Sequence, residues 1–287
     1  MPVDPRVDQR LNTVVDGRFR IEELIGRGAM ADVYRALDLT TNAYVALKFL
    51  KRQLAGDREA QARFRREGEV QARLRHTNVA ALLAIGMTKR EEPYLAVELL
   101  RGKTLRGVIK TEGKVAPVRA ASYAYQALQG LGAVHAAGVV HRDLKPANMM
   151  LEPSRGPVDR VVLIDFGFAS FEGSTKLTLQ GAVVGSLTYI APERLRGEPP
   201  DHRSDLYAIG VILFELLAGT PPFKGADDFE LIDRHLDDEP PSLLDVDAAL
   251  PAAIDAVIAR ALAKHPDERY ATAHEMADEL EAAAQRL

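Results

Sequence analysis

The sequence predicts an α+β fold in two lobes: a small antiparallel β-sheet lobe with one helix, then a large, mainly helical lobe. Two observations carry this. Across residues 18–98, short runs rich in β-branched and aromatic residues alternate with turn residues, broken by one charged segment of helical spacing. After Gly102 the segments lengthen and fill with alanine and leucine.

Residues 1–17 are polar and unpatterned and read as a flexible leader without the apolar core of a signal peptide. Strand-like runs follow at 20–25, 32–37 and 43–49. Residues 58–75 carry many charges, few β-branched residues, and Phe64, Val70 and Leu74 near helical spacing, which predicts a helix. Two more strands fit 80–87 and 93–97. Helices are expected over 118–136, 204–217, 252–263 and 271–284. The division falls into a small lobe over 18–98 and a large one over 102–284, with Gly102-Lys103-Thr104 just past the hinge and a cleft expected between the lobes.

Composition narrows the function classes. Of 287 residues, 47% are apolar and 27% charged, an ordinary globular mix. A formal net charge of -4 argues against nucleic acid as a partner. The absence of cysteine excludes disulfides, thiolate zinc sites and a thiol nucleophile, and suits a reducing compartment. No apolar run is long enough for a membrane-spanning helix. Abundant arginine and alanine suit a GC-rich bacterial source.

Four segments carry chemistry. Gly26-Arg27-Gly28-Ala29-Met30-Ala31 lies between two strands, where glycines let backbone approach phosphate oxygens; taken alone it reads equally as a hairpin turn. Its strand-to-strand placement argues against a dinucleotide fold, whose glycine loop leads into a helix. Lys48 ends the apolar run Val45-Ala46-Leu47, and Glu67 on the next helix is a candidate partner for its ammonium. His141-Arg142-Asp143-Leu144-Lys145-Pro146-Ala147-Asn148 gathers an acid, cations and an amide into one loop. Val161-Val162-Leu163-Ile164-Asp165-Phe166-Gly167 ends an apolar strand at a carboxylate, a position suited to a divalent cation, with Asn148 as a neutral oxygen donor.

In this order, and together with Val33 and Ala191-Pro192-Glu193, these segments resemble the eukaryotic-like serine/threonine protein kinases of bacteria, over about 19–280. The resemblance implies a bilobal protein-kinase-like fold and transfer of the γ-phosphate of ATP to protein serine or threonine, with Mg²⁺ as the metal and Mn²⁺ as its alternative. It implies that Asp143 orients the substrate hydroxyl and accepts its proton, and that Lys145 neutralises the moving phosphate. Asn148 and Asp165 would hold the metal, and Lys48, held by Glu67, the α- and β-phosphates. The nucleotide would contact Ile25, Gly26, Arg27, Gly28, Ala29, Met30, Ala31, Asp32, Val33, Ala46, Val97, Glu98, Leu100 and Met150. A lysine two places after Asp143, and Ser186 as its hydroxyl partner, resemble the serine/threonine class. Asp205 would tie down the catalytic loop, Glu193 and Arg269 would form a buried ion pair, and His76, His135 and His141 would be structural.

Regulation follows from the same likeness. Arg142 before Asp143 implies control by phosphate on the segment 165–193, with Thr178 as the expected autophosphorylation site in trans and a homodimer as the means. Ala31 stands where a third glycine is usual. Gln71 is polar where active relatives tend to be apolar, which would loosen the helix carrying Glu67. The stretch 152–160 is long for its turn, with no function read from it. The expected location is the cytoplasm, either as the whole protein or as the cytoplasmic domain of a longer membrane-anchored kinase. Substrate protein and activating signal are not legible.

Overall fold

In the computed structural model, residues 10–28, 30–154, 156, 158–165, 187–199 and 201–287 are described. They divide into two units, one holding the chain up to Arg75 plus Ala80–Leu100, the other His76–Val79 and Arg101–Leu287.

Alternation with a period of two builds the first unit. Strands β1 (Val14–Val15), β2 (Phe19–Arg27), β3 (Ala31–Asp38), β4 (Ala43–Leu50), β5 (Leu82–Met87) and β6 (Pro93–Glu98) form one sheet in the order β1-β2-β3-β4-β6-β5. Every neighbouring pair is antiparallel. One face is a core of Phe19, Ile21, Tyr34, Val45, Leu47, Phe49 and Tyr94, with Phe19–Tyr94 and Tyr34–Phe49 packed edge to face at 5.9 and 5.8 Å. On the other, Ala31, Leu50 and Leu95 meet Phe64 of helix α1 (Arg58–Gln71).

Part of the expected flexible leader is attached to this sheet. Val14 and Val15 pair with Arg20 and Phe19, the Tyr94 hydroxyl donates to Asp16 at 2.7 Å, and the Arg10 guanidinium lies over the Phe49 ring at 4.7 Å. Its valines add a strand, and its polar residues find partners on the sheet.

Helix α1 starts where Asp57 accepts hydrogen bonds from the Glu59 and Ala60 amides, and ends four residues earlier than the charged pattern suggests. Gln71, expected to loosen it, is instead buried and donates its side-chain amide to the Ala80 carbonyl at 2.9 Å. Gly68 is a residue that sequence reasoning passed over. A Cβ there would sit 2.5 Å from Leu95 Cδ2 and 3.1 Å from Ile85 Cδ1, so the glycine lets α1 lie close against these side chains, which would have to shift for any larger residue.

The second unit is mostly helical. Strand β7 (Lys103–Thr104) leads into α2 (Leu105–Glu112), whose first turn Thr104 caps by accepting from the Gly107 amide. Helix α3 (Pro117–Ala136) follows, then β8 (Met149–Glu152) and β9 (Arg160–Leu163), which with β7 make a three-stranded sheet in the order β7-β8-β9. Glu152 and Arg160 close the long β8–β9 turn as both a register pair and an ion pair. Next come α4 (Pro192–Leu195), α5 (His202–Ala218), α6 (Asp228–Asp237), α7 (Ala252–Ala261) and α8 (Ala273–Ala284). Helix α5 is buried from Ser204 to Ala218 and apolar nearly all round, so α3 and α7 pack directly on it.

A bidentate ion pair braces this unit. Arg269 Nη1 and Nη2 each donate to Glu193 at 2.8 Å, with both residues 2% exposed. Ser204 Oγ adds a third donor at 2.6 Å, and the remaining Arg269 N–H groups reach the carbonyls of Ala263, Arg203 and Lys264. Burial pushes the Glu193 carboxyl up, but the Arg269 hydrogen bonds and charge outweigh it and hold it below the ordinary glutamate value.

Two outcomes follow. Arg269→Ala strands the Glu193 charge and should cost about 3–5 kcal/mol in urea unfolding at neutral pH. Because the folded-state value is depressed, that difference is fully present above the ordinary glutamate value and should shrink as pH falls through the folded one; an unchanged difference in acid would contradict the assignment. Gly68→Leu, too large for a shift of the Leu95 and Ile85 side-chain ends to absorb, should destabilise by about 1–3 kcal/mol, read by the same unfolding measurement.

Candidate active site

Strand register decides which side chains share a surface in the first unit. Directly opposed residues point to one face of a sheet. Gly26 opposes Val33, Val33 opposes Lys48, and Ala46 opposes Val97. These five, all expected on the nucleotide side, therefore line one face. The β2–β3 connection is tight: the Gly28 amide donates to the Ala31 carbonyl at 2.8 Å, and Arg27 opposes Asp32. Ile25 is 45% exposed and Met30 half-buried; Ala29 lies outside the described residues. Glu98 ends β6 and Leu100 closes the unit, both half-buried.

Lys48 Nζ and Glu67 Oε1 are 2.6 Å apart, with side chains 15% and 10% exposed. The geometry that makes this contact is local. Lys48 opposes Leu95 on the neighbouring strand, and Gly68 seats α1 on Leu95, so the residue before the glycine arrives at the ammonium. The signal was an isolated glycine inside a helical pattern, which usually marks close packing.

In the second unit the loop between α3 and β8 is organised by Asp205 near the start of α5. Its carboxylate accepts from the His141 amide at 2.8 Å, the Arg142 amide at 3.0 Å and His135 Nε2 at 2.9 Å. Burial raises the Asp205 carboxyl, but the His135 hydrogen bond and charge, with His141, outweigh it and the net displacement is downward. His141 is fully enclosed, and burial holds its imidazole below the usual value, so it packs as a neutral ring. Arg142 adopts a left-handed backbone with φ 67°, rare for a side chain of its size. Arg194, which sequence reasoning missed, donates to the Arg142 carbonyl from α4.

Past that bend the charged groups converge. Lys145 Nζ lies 2.9 and 2.7 Å from the two carboxylate oxygens of Asp143. Asn148 Nδ2 donates to the Asp143 carbonyl at 2.8 Å and to its Oδ2 at 2.9 Å. The Asp143 side chain stays 31% exposed. The Ile164 amide donates to the Asn148 carbonyl at 3.0 Å, which brings the end of β9 beside this loop. Asp165 follows, exposed and left-handed at φ 53°. An exposed carboxylate and an amide oxygen on adjoining backbone suit a hard cation that keeps water and phosphate oxygens as its other ligands. Met150 opposes Thr104 on β7 and is half-buried. Thr178 and Ser186 lie outside the described residues.

Comparison with known proteins agrees with this arrangement. Residues 19–280 match the protein kinase domain. The chain is 37% identical to the probable serine/threonine-protein kinase PknB of Corynebacterium glutamicum, over 93% of this chain and 42% of that protein. It is 38% identical to the serine/threonine-protein kinase pkn3 of Myxococcus xanthus, over 97% and 52%. It thus spans about half the length of the curated relatives it matches. The crystal structure of the Mycobacterium tuberculosis PknI kinase domain superposes with a TM-score of 0.73 at 27% identity, covering 95% of this chain and 98% of that one. The chain belongs to the protein kinase family, in its eukaryotic-like bacterial serine/threonine branch.

Proposed function

We propose that this chain transfers the γ-phosphoryl group of ATP to serine or threonine hydroxyls of proteins, with Mg²⁺ as its cation. Family membership implies ATP as donor, protein as acceptor and usually a divalent metal. The observation that carries the reading is the Asp143 carboxylate, fixed by Lys145 and Asn148 on one side and 31% exposed on the other.

In this reading Asp143 orients the acceptor hydroxyl and takes its proton as the oxygen–phosphorus bond forms and the bond to ADP breaks. Lys145 offsets charge on the moving group, and Lys48, aimed by Glu67, offsets charge on the α- and β-phosphates. Asp165 and Asn148 hold the cation, which when bound neutralises phosphate oxygens. The protein contributes position and charge rather than a covalent intermediate.

Regulation by phosphate on Thr178 is part of the proposal. Its support is Arg142, whose Nε is buried with no partner among the described residues. A phosphate of charge about -1.5 to -2 would satisfy it.

Asp143→Asn should lower kcat on a generic protein acceptor such as casein by about 10²–10⁴-fold with folding intact; near-normal transfer would refute Asp143 as the base. After incubation with ATP, mass spectrometry should find phosphate on Thr178, and Thr178→Ala should be less active. A fully active protein with Thr178 unmodified would end that part of the reading.

A further inference from the structure

The helix that carries Glu67 has a second surface. Beside it runs β5, the outer strand of the six-stranded sheet. An outer strand is normally blunted by charge, proline or a cover. Here Leu83, Ile85 and Met87 alternate outward at 48%, 43% and 46% exposure. Between this row and α1 lies a groove of about 370 Å³, floored by Phe64, Ile85, Met87 and Pro93. Arg58 and Arg65 stand on its rim; Arg58 forms no ion pair among the described residues, and Arg65 has only Glu69, at 4.0 Å. An apolar trough edged by exposed cations fits an amphipathic acidic helix.

The chain itself presents such a helix. Phe229 on α6 is 64% exposed, more than any other large apolar residue described. Ile232 and Leu236, half-buried, extend it along one stripe at helical spacing. Asp233 and Asp237, both exposed, flank that stripe. Glu230 is taken by Arg234 at 2.7 Å, whereas Asp233 and Asp237 form no ion pair among the described residues; Asp237 shares the field of Lys264 with Asp238 and Glu239. Leu231, on the opposite side, packs on the core of the second unit and His235 is buried against Tyr207 and Phe223, so α6 is held in place without Phe229.

We propose that α6 of one copy docks in the α1–β5 groove of a second copy, with Phe229 as anchor in the trough and Asp233 and Asp237 facing Arg58 and Arg65. The two surfaces differ, so the contact is head-to-tail: it joins copies asymmetrically and leaves one groove and one α6 unused at the ends. The occupied groove borders the helix that aims Lys48 through Glu67, so docking would brace that helix in the receiving copy. This last consequence rests on the kinase reading; the association does not.

Complementation in sedimentation velocity on the full chain tests the proposal. Wild type should associate with rising concentration, and less so in high salt. Met87→Asp blocks the groove and Phe229→Asp the anchor; both positions are exposed, and circular dichroism should match wild type. Each variant alone should associate at least about tenfold more weakly. Mixed in equal amounts, they should recover a one-to-one dimer that grows no further, since only one intact groove and one intact α6 remain. Arg58→Glu, outside the core, should weaken association in the same way. A wild type that stays monomeric, a variant that associates like wild type, or a mixture that fails to dimerise would each overturn the assignment; the last would point to a symmetric contact.

Discussion

Asp205 is the residue on which the loop bearing Asp143 depends. An ionised carboxylate taken out of water is costly unless its oxygens are filled. Here they are filled by two consecutive backbone amides, His141 and Arg142, and by His135 from α3. Two adjacent amides aimed at one carboxylate dictate the local bend, and the left-handed Arg142 is its consequence. The strain, of order 1–3 kcal/mol for such a residue, is held by contacts from α3, α4 and α5 at once. Asp143 then emerges from a fixed turn rather than from a loose loop.

Three aspartates in this unit have three environments, and environment separates their tasks. Asp205 is 2% exposed and enclosed by donors, so it serves structure. Asp143 has donors on one side and solvent on the other, an arrangement suited to receiving a hydroxyl. Asp165 is exposed at a strand end in an uncommon backbone conformation, beside an amide oxygen donor. The same side chain thus meets three environments, which suit it to anchoring and, in the proposed function, to proton acceptance and cation binding.

Much of this was legible in residue order. Strand alternation, the alanine- and leucine-rich helices, and the spacing of Lys48, Glu67, Asp143, Asn148 and Asp165 could be read directly. Helices α2 and α6 could not. Helix α2 has eight residues, one of them glycine, and α6 is so acidic that it resembles a solvated loop. For α6 a local signal existed: Asp227 caps the Glu230 amide while Glu230 reaches back to Ala226, a reciprocal capping arrangement. The attached leader escaped because two valines are too short a run to show periodicity. Asp205's dependence on His135 is invisible along the chain, since a histidine 70 positions away acquires meaning only when α3 and α5 pack.

Gln71 shows how a polar residue in an apolar position changes sign with its partner. Unsatisfied, its amide would cost about 1–3 kcal/mol and favour displacement of α1. Bonded to the Ala80 carbonyl, it ties the end of α1 to the segment entering β5. Gly68 against Leu95 fixes the next turn back, and Glu67 is locked between these two contacts. The first half of α1 has fewer anchors: Ala60 and Phe64 are its buried residues, and Arg58 faces out, as does Arg65 just beyond it. Rigidity is therefore concentrated at the end of the helix that holds the charge pair. Leverage is left at the other end, where the apolar row of β5 stands open beside it.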